Sequence, residues 1–256
     1  DTANIKPDKL LPDITQTEYI KDFLVRFGLL MNEEYGTIYF KSIDDVINGI
    51  STAVDLTDKR VKSHGLKFTP LTYGGTNKYT YTKPDDVDNE LIGQGTFSLS
   101  YLDNDKVIYN SFFNSAETVY NGDILMGQIP VYETSTSRST FDNEPEIRLM
   151  LVRDKYTYEP NVTYDTAQSS YLVAYFEDPA QTNSCSFQDS LDENYVQLIR
   201  ALQKSKIETI EYLLNEIDIL KMNPHTLIFD RDAYYLINSI SNFIPGKTTK
   251  CELFKV

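Results

Sequence analysis

The chain has 256 residues, 41% of them hydrophobic, which is enough to bury a core in one large domain or two modest ones. Its formal net charge is -14, from 24 basic and 38 acidic residues, and this speaks against tracking along nucleic acid or docking on an anionic membrane. Only 8 basic and 10 acidic residues lie from Cys185 onward, so the negative charge is concentrated in the earlier part. No basic stretch followed by an apolar one opens the sequence, so no signal peptide is visible, although one could have been removed, and no apolar run approaches a membrane span, so membrane insertion is not expected.

Nineteen Tyr and thirteen Phe with no Trp, among many Thr, Ser and Asn, suit half-buried pleated surfaces. The expected class is α+β: β-rich antiparallel sheets, or a barrel-like region, with a few short amphipathic helices. Three regions are expected. Residues 1–60 form a helix-hairpin-helix docking unit, 61–184 an antiparallel β region, and 185–256 a helix with closing strands that packs with 1–60.

In chain order, Leu10-Leu11-Pro12 reads as an extended lead-in. Thr15 and Glu18 form a capping box, and Ile14 and Tyr19 occupy the positions of a hydrophobic staple. Ile20, Phe23, Leu24 and Phe27 make one apolar stripe at helical spacing, expected to face the core, and Gly28 is placed to end the helix left-handed. Leu29–Met31 and Thr37–Phe40 flank a turn and predict a hairpin. Ser42 and Asp45 repeat the capping pattern for a short helix, 43–48, closed by Gly49.

From Val61 to about Tyr175 short alternating runs are separated by turn-forming stretches such as Tyr73-Gly74-Gly75-Thr76-Asn77 and Asn121-Gly122-Asp123, the pattern of an antiparallel β region. The polar run 133–140 reads as an exposed loop. Asp189 or Ser190 caps a helix to about Gln203 that buries Leu191, Tyr195, Leu198, Ile199 and Leu202; propensity alone would extend it through Glu216. Strands over 234–243 and 251–256, joined by a Pro245-Gly246 turn, close the chain.

No constellation for chemistry emerges. The two histidines, His64 and His225, each adjoin a turn residue and have no metal-ligand spacing. Cys185 and Cys251 are too few for a disulfide framework and read as buried thiols. The clusters Asp85-Asp86-Val87-Asp88, Asp103-Asn104-Asp105 and Asp142-Asn143-Glu144 suit turns, and the middle one lacks the rest of a calcium loop. Gly74-Gly75 and Gly93-Gln94-Gly95 lack the context of a phosphate loop and read as strand bends; Asn161-Val162-Thr163 matches a glycosylation acceptor by chance. No catalytic, cofactor-binding or metal-binding residue is assigned, no cofactor is expected, and the chain is not expected to be an enzyme.

Two stretches carry a resemblance. Leu11-Pro12-Asp13 with Gln16, Tyr19 and Phe23, the Phe27-Gly28 helix end, and Asp55-Leu56-Thr57-Asp58-Lys59 resemble a block in large tail proteins of Bacteroidetes phages and prophages. Leu191–Tyr195, Leu214–Ile219, Tyr234–Lys247 and Thr249–Val256 resemble the closing segment of the same proteins. The resemblance covers about half of the chain and its motifs are structural. It implies that 207–213 is extended despite its helical propensity. It further implies a structural role in a tail hub or baseplate, with other phage tail proteins and copies in a ring as partners. Localisation would be cytoplasmic during assembly and then the virion tail. The alternatives are a glycan- or receptor-binding surface module and a tail-associated cell-wall hydrolase.

Overall fold

The computed structural model describes residues 14–67, 72–82, 92–116, 118–121, 124–127, 151–158, 169–175, 184–204 and 206–256. The chain opens with α1 (Gln16–Arg26), the strands β1 (Leu29–Glu34) and β2 (Thr37–Ser42), and α2 (Ile43–Asn48). Then come β3 (Val54–Asp55), β4 (Arg60–Lys67), β5 (Thr76–Thr82), β6 (Gly95–Ser98) and β7 (Asp105–Asn114). Two hairpins follow, β8 (Thr118–Asn121) with β9 (Ile124–Gly127) and β10 (Leu151–Tyr158) with β11 (Ser169–Tyr175). The chain ends with α3 (Phe187–Asn194), α4 (Val196–Leu202), β12 (Ile207–Leu213), α5 (Glu216–Lys221), β13 (Ile228–Asp230), β14 (Ala233–Ser241) and β15 (Thr248–Lys255). The fold is α+β and β-rich, as the composition implied. The polar run 133–140, the acidic clusters 85–88 and 142–144, and Asn161 lie outside the described residues.

Two compact units divide the chain. One is drawn from Asp1–Tyr19, Tyr79–Gly95 and Tyr109–Asp189, the other from Ile20–Lys78, Thr96–Ile108 and Ser190–Val256. In the first, the Phe187 ring is a hub: the rings of Tyr81, Tyr79 and Tyr109 lie 4.8, 6.0 and 6.1 Å from it. The Tyr81 hydroxyl donates to the Cys185 carbonyl. Gly95 is needed here because a Cβ would strike the Phe187 backbone.

The second unit is built on a six-stranded sheet of order β3-β13-β14-β15-β12-β4, antiparallel except for the β3–β13 pair. Its two edge strands are almost consecutive in sequence, and that forces its shape. A flat sheet would hold β3 and β4 five spacings apart, about 24 Å at ~4.8 Å each. The link from Asp55 to Arg60 spans at most about 19 Å at ~3.8 Å per Cα step, and its 3₁₀ turn at Thr57–Lys59 shortens it further. The sheet therefore curls into a half-barrel. Leu56, Ile210, Tyr212, Ile228, Tyr235, Cys251 and Leu253 form its core, together with Leu214 and Met222.

β15 lies between β14 and β12, so the closing strands are central to this sheet, with Gly246 at φ 77 in their turn. β12 is extended, against its helical propensity, because alternate residues Glu208, Ile210 and Tyr212 enter the half-barrel. The helix expected over 189–203 starts earlier, at Phe187, and breaks at Tyr195.

Candidate functional site

Inside the half-barrel sits a cluster of charged and hydroxyl groups. Arg60 of β4 donates to Glu208 Oε1 at 2.6 Å and to Asp230 Oδ2 at 2.7 Å, reaching from one edge of the sheet toward the other. Ser63 and Tyr235 hydroxyls donate to Glu208 at 2.7 and 2.8 Å, and the Tyr212 hydroxyl donates to Asp230 at 2.6 Å. Burial would raise the Glu208 carboxyl, yet hydrogen bonds from Ser63, Tyr235 and Arg60 outweigh it and hold it below its ordinary value. Burial also works against the Arg60 charge and is overcome by the two carboxylates, so its pKa is raised. Burial first, and the neighbouring carboxylates second, push Tyr212 and Tyr235 up, so both hydroxyls are donors and not nucleophiles. Both carboxylates are tied to one guanidinium, an arrangement that fastens β4 to β12 and β13.

A different feature faces solvent. The apolar stripe of α1 was expected to be core, and the structure corrects this: Phe23 is 40% and Phe27 46% exposed. The buried side of the helix is instead polar, with Arg26 donating to Asp22 at 3.0 Å and both residues enclosed. Neighbours explain the orientation, because Ser190 donates to the Arg26 carbonyl and Tyr195 to the Val25 carbonyl at 2.5 Å. Such backbone anchors lie about 165 residues away in sequence and leave no trace in the helical period.

The β1–β2 hairpin continues the theme. Its loop is only Tyr35-Gly36, with φ of 53 and 78, and not the five residues that the sequence suggested. Positive φ at both positions is the type I′ geometry that suits Asn-Gly; Tyr is a costly choice at the first. Tyr35 nevertheless stands there fully exposed. Along β2, Thr37, Ile38, Tyr39 and Phe40 are exposed on both faces. Leu30 and Lys41 hold the hairpin to the 223–225 loop: the Leu30 carbonyl lies 2.9 Å from His225 Nε2, and Lys41 Nζ donates to the His225 carbonyl at 3.3 Å.

The residues singled out for chemistry stay apart. His64 lies on edge strand β4 against Glu211 at 2.7 Å, and His225 braces the hairpin. Both cysteines are buried thiols outside any disulfide, and burial pushes Cys251 up to about 11. Asp105 pairs with Lys78 at 3.0 Å at the start of β7. At Gly74 and Gly75 an added Cβ would strike the backbone carbonyls of Asn104 and Leu102, so this pair serves a close strand approach. Among the described residues no group of three or more His, Cys, Asp or Glu is placed to hold a metal, and no helix is long and apolar enough to cross a membrane. Comparison of the chain with family profiles, with curated proteins and with solved structures finds no match.

Proposed function

We propose that the chain is a structural component of a bacteriophage or prophage tail, in the hub or baseplate, and that it works by protein–protein assembly without catalysis. The observation that carries this reading is the inverted helix α1, which encloses a charged pair and turns Ile20, Phe23 and Phe27 outward. Exposed contiguous apolar surface costs solubility and marks interaction sites. The hairpin adds Met31, Ile38 and Phe40 to the apolar residues left outside. The half-barrel cluster supports the same reading, because Arg60 ties down both carboxylates and the Tyr212 and Tyr235 hydroxyls are engaged as donors to them inside the sheet. On this reading the protein resides in the cytoplasm during assembly and in the virion tail afterwards.

Particles purified from the phage or prophage that carries this gene test the proposal. An antibody to the chain should label one end of the tail, and Phe27→Glu should remove the chain from particles while the free protein stays folded. Particles lacking the chain would overturn the assembly reading. So would sustained turnover of peptidoglycan by the purified chain that a single Asp or Glu substitution abolishes.

A further inference from the structure

The chain treats its sheet edges unequally. A strand edge offers unpaired amides and carbonyls to any passing strand, and folded proteins blunt such edges with charge, bulges or shortness. Both edges of the six-stranded sheet are blunted in this way. β3 is two residues long, and β4 carries exposed Lys62 and His64, Gly65 at φ 89, and two shifts of register against β12. Over Thr37–Phe40, β2 has none of these devices. Thr37-Ile38-Tyr39-Phe40 is uncharged, free of Gly and Pro, and in unbroken register with β1.

The two-residue turn fixes which groups face the open edge. It makes Glu34 and Thr37 a hydrogen-bonded pair, so alternation turns the amides and carbonyls of Ile38 and Phe40 away from β1. We propose that this edge is a self-pairing site: two copies of the chain join antiparallel through β2, about a two-fold axis at Tyr39, into a four-stranded sheet. The inference deepens the assembly reading by naming a second copy as the partner at this edge.

Charge and shape favour a second copy in this register. Antiparallel pairing with Tyr39 opposite its own copy sets Ile38 opposite Phe40 of the other copy, twice by symmetry. Four backbone hydrogen bonds then form. On one face, Met31, Phe40 and the other copy's Ile38 line up as an apolar row, since Met31 already faces Phe40 across the hairpin. On the other face, Thr37 stands between Glu34 and the other copy's Lys41, an attractive arrangement with no like charges opposed. A head-to-tail contact of β2 with the six-stranded sheet would need an open edge there, and its two blunted edges do not supply one. Isologous pairing is also the commonest closed symmetry.

The experiment uses the full chain. Sedimentation should show a monomer–dimer equilibrium that strengthens with added salt, because each copy carries a net charge of -14. Tyr39→Lys, which puts two ammonium groups opposite each other, should shift the chain to monomer at every concentration with its melting temperature unchanged. Tyr39→Cys supplies the register. A facing pair on the axis lies within disulfide reach, so mild oxidation should give a covalent dimer, while Tyr35→Cys, four residues from the axis, should not. The native thiols are buried and do not compete. A wild-type chain that stays monomeric at high salt, or equal cross-linking from positions 35 and 39, overturns the pairing. If the same monomeric chain is found in tail particles, the assembly reading stands and the self-pairing alone falls.

Discussion

At the scale of single residues, the positions that break local rules are the informative ones. Tyr35 occupies a left-handed conformation that costs an ordinary side chain about 1 kcal/mol, and it contacts nothing that would offset this in the free chain. Tyr35→Asn should therefore raise stability by about that amount, read as a higher denaturation midpoint. A fall in midpoint would show that the ring supports the fold. Glu208 breaks another rule, as a carboxylate inside a half-barrel. Its folded pKa lies below its ordinary value, so the stability it adds is complete above about pH 4.5 and is lost as pH falls through the lower folded value. Wild type should accordingly lose more melting temperature between neutral and acid pH than Glu208→Gln. Equal losses in the two proteins would mean that the cluster's hydrogen bonds do not favour the charged carboxylate.

At the scale of elements, what the sequence revealed was whatever is settled by neighbours a few residues apart. The capping box at Thr15 and Glu18 is present, with bonds of 2.8 and 3.2 Å between side chains and backbone amides. Gly28 ends α1 at φ 56, and Ser42 caps α2 at 3.0 Å. What it hid was settled from far away. The break between α3 and α4 is held by Asp44, whose carboxylate accepts from the amides of Gln197 and Leu198 at 3.0 and 3.3 Å across about 150 residues. The outward face of α1 was likewise hidden, because a helical stripe does not say which side a distant Ser190 and Tyr195 will anchor. The strand β12 was legible only through the resemblance, since its residues favour a helix until the half-barrel supplies partners on both sides. Asp44→Ala removes the cap of α4 and should cost about 0.5–2 kcal/mol in denaturant unfolding. An unchanged midpoint would show that the amides at the start of α4 are satisfied without Asp44.

At the scale of the whole chain, β15 ties the last residues to a sheet that also contains residues 54–67. It places Cys251, Leu253 and Phe254 in buried positions and pairs on both sides. Deleting residues 248–256 should leave β12 and β14 with bare edges and yield insoluble or unfolded protein. Soluble truncated protein with an unchanged melting temperature would contradict the central place given to β15. While Tyr212 and Tyr235 are buried in this sheet, Phe23 and Phe27 of α1 and Tyr39 and Phe40 of β2 are left exposed, and the central claim is that the open β2 edge is a contact in the assembly. Hydrogen exchange at the Ile38 and Phe40 amides tests it most directly, measured in the dilute chain and in assembled tail particles. Fast exchange in the free chain and strong protection in the particle is the predicted result; amides that exchange equally fast in both would contradict it.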